Sequence, residues 1–173
     1  MYKINVAVLF GGCSEEHTVS IKSAMELAAN IDTEKYQPFY IGITKIGVWK
    51  LCEKPCLDWE RYAEYTVVFS PGRNTQGLLI QKKDGYEPQS VDVVFPMIHG
   101  KFGEDGSIQG LLELSGIPYV GCDIQSSVIC MDKSLAYTIV KNAGIEVPDF
   151  QIIQNSDNLE TEKFIFPLFV KPA

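Results

Sequence analysis

The first part of the chain most constrains its fold, because it reads as a strand, a helix and a second strand in succession. Lys3 to Phe10 is a nearly continuous apolar run rich in Val and Ile, which is typical of a strand covered on both faces of a parallel sheet. Apolar residues then recur at helical spacing from Val19 to Ile31, with Ser14 as the expected N-cap, and Tyr36 to Ile43 indicates a second strand. We therefore predict a βαβ unit with a right-handed crossover.

The same reading extends to residue 121. Short strands interrupted by glycines and prolines are expected between Thr44 and Gln89, followed by a buried strand at Val91–Pro96. A helix capped by Ser107 and stopped by Gly116 comes next, and then a short strand at Pro118–Gly121. Residues 1–121 are thus predicted to form an α/β domain with an open, mostly parallel sheet and helices on both faces, similar to a Rossmann fold.

A second pattern opens at residue 122. One long helix is predicted over Asp123–Asn142, and strands are predicted at Phe150–Ile153 and Pro167–Pro172, with a helix or turn at Asn158–Phe164 between them. The last strand stops at the end of the chain without the connection that normally follows. We therefore expect residues 122–173 to be the start of a second, incomplete α+β domain.

Composition excludes several classes of function. The formal net charge of -7 provides no basic face for a nucleic acid backbone. The first apolar run is too short for a signal peptide, and no stretch reaches the roughly 18 apolar residues that span a bilayer, so a cytoplasmic location is expected. The five cysteines are an odd number and are scattered singly, which favours reduced thiols over a disulfide framework.

Two short acidic or thiol motifs raise the question of a metal. Cys52 and Cys56 form a pair, but the only histidines are His17 and His99 and no second cysteine pair completes a zinc site. Glu104 and Asp105 are read as a turn and a helix start, because hard cations need more carboxylates than this. No metal ligands are therefore assigned in this chain.

The candidate binding residues follow predicted buried strands. Gly11-Gly12 allows close approach of a ligand, or forms only a tight turn, and Glu16 lies where helix-start carboxylates are common but where one could also hold a substrate ammonium group. His99 follows the strand that ends at Pro96. Because carboxyl ends of parallel strands share one edge of a sheet, these loops are expected to converge on one crevice. Lys171, inside a buried-strand pattern, calls for a counter-charge such as a phosphate.

Four motifs in order carry a resemblance to one enzyme family. They are Gly11-Gly12-Cys13-Ser14-Glu15-Glu16-His17-Thr18-Val19-Ser20, His99-Gly100-Lys101-Phe102-Gly103-Glu104-Asp105-Gly106 with Gln109-Gly110, Met131-Asp132-Lys133, and Val170-Lys171-Pro172. The chain resembles the amino-terminal portion of D-alanine:D-alanine ligases, which are ATP-grasp enzymes, and within them the vancomycin-resistance branch of the VanG type that joins D-alanine to D-serine. The first domain would then be a pre-ATP-grasp domain and the second the start of the central ATP-binding domain.

The resemblance implies a homodimeric, cytoplasmic enzyme of peptidoglycan precursor synthesis, hence of cell-wall formation and cell shape, that uses ATP and Mg²⁺. In that family ATP phosphorylates the carboxylate of one D-alanine, and the amine of a second D-amino acid, D-alanine or D-serine, attacks the acyl phosphate. By resemblance Glu16 would orient the first substrate as the catalytic residue, with Val19, Ser20 and His99 also at that substrate, while Lys133 and Lys171 would bind ATP phosphates.

The magnesium ligands and the groups that stabilise the transition state are expected beyond residue 173. The chain alone is accordingly expected to be inactive as a ligase. An alternative is a non-catalytic domain, derived from such a ligase, that binds a small ligand or mediates dimerisation. An ATP-grasp ligase for another acid is a further reading, against which the combination of Glu16 and His99 argues.

Overall fold

A computed structural model describes residues 2–153 and 165–171 of the chain. The chain divides into two compact units, residues 1–127 and 128–173. The domain boundary expected between residues 121 and 122 stays a prediction.

The first unit is built on a seven-stranded sheet within its described residues. The strands are β1 (Ile4–Gly11), β2 (Tyr36–Ile43), β3 (Trp49–Cys52), β4 (Tyr65–Phe69), β5 (Gly77–Lys82), β6 (Gly85–Ser90) and β7 (Val93–Pro96). The helices of this unit include α1 (His17–Asn30) and α2 (Ser107–Ser115). The strands lie in the order β6-β5-β4-β3-β2-β1-β7, so β1 lies between two strands that are distant from each other in sequence.

The central strands are parallel, as the sequence predicts. β1 pairs with β2 with Ile4 opposite Tyr36, and with β7 with Val6 opposite Val93. Helix α1 connects β1 to β2, which confirms the predicted βαβ unit. The short strand expected at Pro118–Gly121 is reduced to one parallel bridge between Val94 and Tyr119.

The α/β fold class is confirmed, but the sheet is mixed rather than mostly parallel. Strands β2 to β6 pair antiparallel with their neighbours along the chain. A parallel connection needs a crossover of a dozen or more residues, usually a helix. Between residues 44 and 90 the only helical segment is the 3₁₀ turn Trp59–Arg61, so the strands return by short connections and form a meander.

Helices cover both faces of the sheet. Alternate side chains of β1 point to opposite faces, and on each face they pack in a core with a different helix. Ala7 and Leu9 join a core that includes Ile108 and Leu112 of α2. Val6, Val8 and Phe10 join a second core, which contains Ile21 and Ala24 of α1. A continuous apolar run is therefore required in β1, and the prediction of helices on both faces is confirmed.

Gly42 of β2 provides the space for the largest buried side chain. Trp59, only 1% exposed, packs edge-on against Phe10 with ring centroids 5.3 Å apart. A Cβ at Gly42 would run into the indole ring. The same core holds the Cys52 thiol, and burial raises its pKa to about 12. At neutral pH the Cys52 thiol is thus a protonated part of this core.

Two predicted N-caps are wrong. Glu16, not Ser14, is the N-cap of α1, and Gly106, with a φ of 88°, precedes α2 in place of Ser107. The hydroxyl of Ser14 instead donates to the carbonyl of His99, 2.7 Å away. The same oxygen accepts from the backbone N–H of Glu16 at 3.2 Å, so Ser14 holds the turn that precedes α1 and also contacts the loop after β7. Gly116 ends α2 in a left-handed conformation, as predicted.

The second unit departs further from the sequence reading. The single helix expected over Asp123–Asn142 is divided into α3 (Ile124–Met131), which begins in the first unit, and α4 (Lys133–Asn142). Asp132 separates them because its carboxylate accepts from the backbone N–H groups of Ser134 and Leu135 and so caps α4. A hydrogen bond from the Ser134 hydroxyl, and then the bond from the backbone N–H of Leu135, lower the pKa of Asp132.

The strands predicted at Phe150–Ile153 and Pro167–Pro172 are not formed by the residues that the structure describes there. A strand requires a hydrogen-bonded neighbouring strand, and the strand ladders of the described residues do not extend to either segment. The helix or turn expected at Asn158–Phe164 lies outside the described residues, as does Pro172. Over the described ranges, each helix is too short or too polar to cross a membrane.

β6 forms one edge of the sheet and is largely exposed. It carries Pro88, which lies opposite Leu79 of β5, and Glu87, whose carboxylate is 3.6 Å from the ammonium group of Lys82. Proline lacks an N–H donor and is found in sheets mainly on such edges.

One buried hydroxyl fastens the central elements to each other. Ser20 of α1 is fully buried; its Oγ accepts from the backbone N–H of Gly11 at 2.7 Å and donates to the carbonyl of Met97 at 2.5 Å. Gly11 ends β1, and Met97 directly follows β7. Ser20 therefore joins α1 to the carboxyl ends of two parallel strands.

We expect Gly42→Ala to destabilise the first unit by about 1–3 kcal/mol, because overpacking displaces Trp59 and Phe10. Gly110→Ala in α2 is the matched control. Its added methyl would meet only Ile124, at 3.9 Å, and alanine is favoured over glycine within a helix by about 1 kcal/mol. Urea unfolding followed by tryptophan fluorescence measures both, and equal stability of the two variants would contradict the packing described.

We expect Ser20→Ala to cost about 1–3 kcal/mol, because the buried N–H of Gly11 and the partly buried carbonyl of Met97 each lose a partner. Ser115→Ala is the control: Ser115 is equally buried, but its hydroxyl donates to the Leu112 carbonyl, which keeps the backbone N–H of Ile117 as a donor. Free energies of unfolding from urea titrations should differ between the two variants. A loss for Ser115→Ala as large as that for Ser20→Ala would refute the special role of Ser20.

Candidate functional site

The loops that follow β1 and β7 meet at the carboxyl edge of the parallel strands. Ser14, in the first loop, donates to the carbonyl of His99 in the second. A Cβ at Gly100 would lie 2.7 Å from Oε2 of Glu16, and Gly100 has a φ of 68° that favours glycine. The convergence of these loops, expected from strand direction, is therefore present in the fold.

Glu16 presents an exposed carboxylate at this junction. It is the N-cap residue of α1, but its side chain makes no capping hydrogen bond. Within the described ranges it belongs to no ion pair. An ionised carboxylate at the positive end of a helix, without a cationic partner, is suited to hold an ammonium group.

The other residues predicted near Glu16 differ in what they expose. Val19 is 52% exposed on α1. Ser20 is fully buried, and its hydroxyl is engaged by two backbone groups. The structure thus brings both close to Glu16 in the helix, but only Val19 has accessible surface.

His99 is held through its ring and through its backbone. Its Nε2 is 3.1 Å from Oγ of Ser23 on α1, and its Nδ1 is 3.9 Å from Oε1 of Glu104. The second carboxylate oxygen of Glu104 accepts from the backbone N–H of Gly100 at 2.9 Å. Glu104 therefore closes the His99–Gly100 turn, which agrees with a structural role for this acidic motif.

Asp105 has a similar role in the next turn. Burial by itself would raise the pKa of Asp105, but hydrogen bonds from the backbone of Phe102 and from the side chain and backbone of Ser107 lower it. Because the folded pKa lies below the unfolded one, this carboxylate stabilises the fold at neutral pH and loses that effect as the pH falls through the folded pKa. It also supports Phe102 at an unfavourable φ of 69°.

The Gly11-Gly12 turn is required by close approach of backbone. A Cβ at Gly11 would clash with the Ile43 carbonyl, and both glycines have a φ near 90°. Gly12 donates its N–H to the same Ile43 carbonyl, and its own carbonyl receives Nδ1 of buried His17 at 2.7 Å. The turn reading of this motif is therefore sufficient to explain both glycines.

Sequence reasoning missed His17, Ser14 and Ser23 as residues that shape the site. His17 stood out only as one of two histidines, and its burial follows from a contact that depends on the turn geometry. Ser23 lies one helical turn beyond Val19 and two beyond Glu16 on α1, so helical spacing was the available signal.

A cleft of about 280 Å³ opens nearby, but its lining does not include Glu16, Val19, Ser20 or His99. Its lining residues are mainly apolar: Gly12, Cys13, Ile43, Gly47, Trp49, Ile98, Phe102, Ser107, Ile108 and Leu111. An ammonium group would lose hydration in such a cleft without a compensating charge. The cluster of Glu16, Ser14, Ser23, His99 and Gly100 is therefore the better candidate for a charged small ligand.

The two predicted phosphate-binding lysines belong to the second unit. Lys133 is the first residue of α4 and is exposed; Lys171 is also exposed, in a segment without strand pairing over its described residues. Across the described residues neither takes part in an ion pair. No group of three or more His, Cys, Asp or Glu side chains suited to a metal occurs in the described ranges.

Several known proteins are similar to this chain over its whole length. The chain is 64% identical over 173 residues to the vancomycin B-type resistance protein VanB of Enterococcus faecalis, and 54% identical to a putative D-alanine–D-lactate ligase of Streptomyces coelicolor. Both matches cover the whole chain and 50% of the relative, so the chain spans about half the length of these curated relatives.

Among solved structures, the VanG D-Ala:D-Ser ligase of Enterococcus faecalis matches 86% of this chain and 44% of its own, with 41% identity and a TM-score of 0.76. That identity is lower than the identity to VanB. The likeness to resistance ligases is confirmed, but these identities do not single out the D-serine branch.

A family model described as the D-ala D-ala ligase N-terminus matches residues 5–122. This range contains the sheet except for Ile4, both converging loops and helix α2. Because the match extends over well more than half of the chain, the protein belongs to the D-ala D-ala ligase N-terminus family.

Proposed function

We propose that this chain is the amino-terminal, substrate-binding part of an ATP-dependent D-alanine:D-amino acid ligase that makes the dipeptide precursor of peptidoglycan. The observation that carries the proposal is the meeting of the Glu16 carboxylate with the His99–Gly100 turn at the carboxyl edge of β1 and β7. Open α/β sheets bind ligands at this edge. Relatives with ligase names match the whole chain.

Glu16 would act by binding and orienting the first D-alanine. Its carboxylate would receive the substrate ammonium group in a charge-assisted contact, which directs the substrate carboxylate away from α1. Gly100 would keep the opposite wall free of a side chain, so that Glu16 keeps its position. The contribution is one of orientation, which brings a weakly reactive carboxylate to the position of attack.

Lys133 and Lys171 would neutralise phosphate charge. Both ammonium groups are exposed and free of ion pairs across the described residues, which fits a site for a polyanion. ATP, with Mg²⁺, would supply the phosphoryl group that activates the D-alanine carboxylate. Cations close to both anions would reduce their mutual repulsion during that step.

Two chemical classes are candidates for the second substrate, D-amino acids and D-2-hydroxy acids. The sequence identity to the D-alanine–D-lactate ligase, 54%, exceeds the 43% to a D-alanine–D-alanine ligase of Caldicellulosiruptor bescii. We therefore hold a D-2-hydroxy acid as a candidate beside D-alanine and D-serine. Product analysis with all three acids, in a ligase that carries this chain, distinguishes them.

A homodimer in the cytoplasm is proposed as the working form. The support is the family membership, together with described helices that are unsuited to crossing a membrane. Multi-angle light scattering should report twice the 19.3 kDa mass of the chain. A single species of monomer mass at high micromolar concentration would argue against self-association through this part of the enzyme.

We expect Glu16→Gln to weaken D-alanine binding at least about tenfold, equivalent to about 1.4 kcal/mol, because the ammonium group loses its charged partner. Isothermal titration calorimetry of the chain with D-alanine measures the change. Glu15→Gln is the matched control, because Glu15 is an adjacent exposed carboxylate with no ion pair among the described residues.

L-alanine gives a second control, since binding that depends on general charge would not distinguish the enantiomers. Equal weakening by Glu15→Gln and Glu16→Gln would show that charge alone, rather than the position of Glu16, governs affinity. Unchanged affinity in Glu16→Gln would remove the basis of the proposal.

A further inference from the structure

Ser23 has a position that the ligase function proposed above does not use. It lies on α1, half-buried, with its Oγ 3.1 Å from the Val19 carbonyl and 3.1 Å from Nε2 of His99. The bond to Val19 is the ordinary contact of a helical serine with the carbonyl four residues before it. The contact with His99 joins residues 76 positions apart, and therefore joins α1 to the loop after β7.

His99 is connected in turn to the wall that faces Glu16. Its carbonyl receives the hydroxyl of Ser14, and its ring lies toward Glu104, whose carboxylate holds the Gly100 N–H. Gly100 is the residue whose missing side chain leaves room for Oε2 of Glu16. A path of neighbouring residues thus runs from Ser23 through His99 and Gly100 to the space that the Glu16 carboxylate occupies.

The ring of His99 has a protein atom facing each nitrogen. Ser23 faces Nε2, and Glu104 faces Nδ1 at 3.9 Å, beyond hydrogen-bond distance. Its side chain is 31% exposed. The close polar partner of the ring is therefore Ser23, and the ring nitrogen nearest to α1 is already engaged.

We propose that Ser23 is a positioning residue of the substrate site, which acts through His99 to hold the Gly100 turn against the Glu16 carboxylate. His99 then contributes mainly by fixing this wall, rather than by offering Nε2 to the substrate. The expected effect of Ser23 on D-alanine binding rests on the proposed function. The Ser23–His99 contact itself is independent of any activity.

The test uses ¹⁵N-detected imidazole spectra of the chain, which are simple because His17 and His99 are the only histidines. His99→Gln assigns the spectrum by leaving only the signals of His17. Ser23→Ala should move the ring nitrogen signals of His99 and leave those of His17 in place, because Nδ1 of His17 bonds to Gly12 and not to α1 side chains. The same variant should weaken D-alanine binding about fivefold, the effect of one ordinary hydrogen bond.

Ser23→Thr keeps the hydroxyl and should restore both the His99 signals and the affinity. Thr18→Ala is the matched control, because it removes an exposed hydroxyl from the same helix and should change neither. Unmoved His99 signals in Ser23→Ala, or weakened binding that Ser23→Thr does not restore, would overturn the proposal. If the unaltered chain fails to bind D-alanine, the proposed function fails, whereas shifted His99 signals in Ser23→Ala still establish the positioning contact.

Discussion

The hydroxyl of Ser20 is the contact on which the geometry of the first unit depends. It bonds to the end of β1 and to the residue after β7 from within α1, and it is completely excluded from water. Both partners are backbone groups, so the bonds fix main chain rather than a movable side chain. Unpaired groups of this kind are costly when buried, which makes the arrangement close to obligatory. The loops that carry Glu16 and His99 begin at the two points that Ser20 joins.

The elements that have a regular apolar pattern or a clear stop signal were predictable from sequence. The apolar run of β1 and the boundaries of β2 follow from burial on both faces, and Gly116 stops α2 as its conformational freedom predicts. Two of the errors concern polar side chains near helix starts. Ser14 donates to the carbonyl of His99 in the loop after β7, and Asp132 caps a new helix, α4, within the range predicted as one long helix. Local pattern does not contain the position of a distant carbonyl, and so could not predict the contact between Ser14 and His99.

The candidate site was predictable to a similar extent. Glu16 and His99 follow buried strands in the sequence, and strand direction alone predicts that their loops meet. The contacts that shape the meeting point, through Ser23 and Gly100, require the register of α1 against the loop after β7. Family membership adds an expectation for each residue, but it does not say which of them reach a ligand. Ser20 illustrates this, because it belongs to the motif although its side chain has no exposed surface.

The edge strand β6 has a consequence for how molecules of this protein meet one another. A neighbouring molecule that tried to extend the sheet at this side would find no N–H donor at Pro88 and would face the carboxylate of Glu87. Sheets with bare, flat edges polymerise, and proline and charge on the edge oppose that growth. Together with a net charge of -7, which opposes non-specific association, the edge disfavours open-ended growth of the sheet from one molecule to the next.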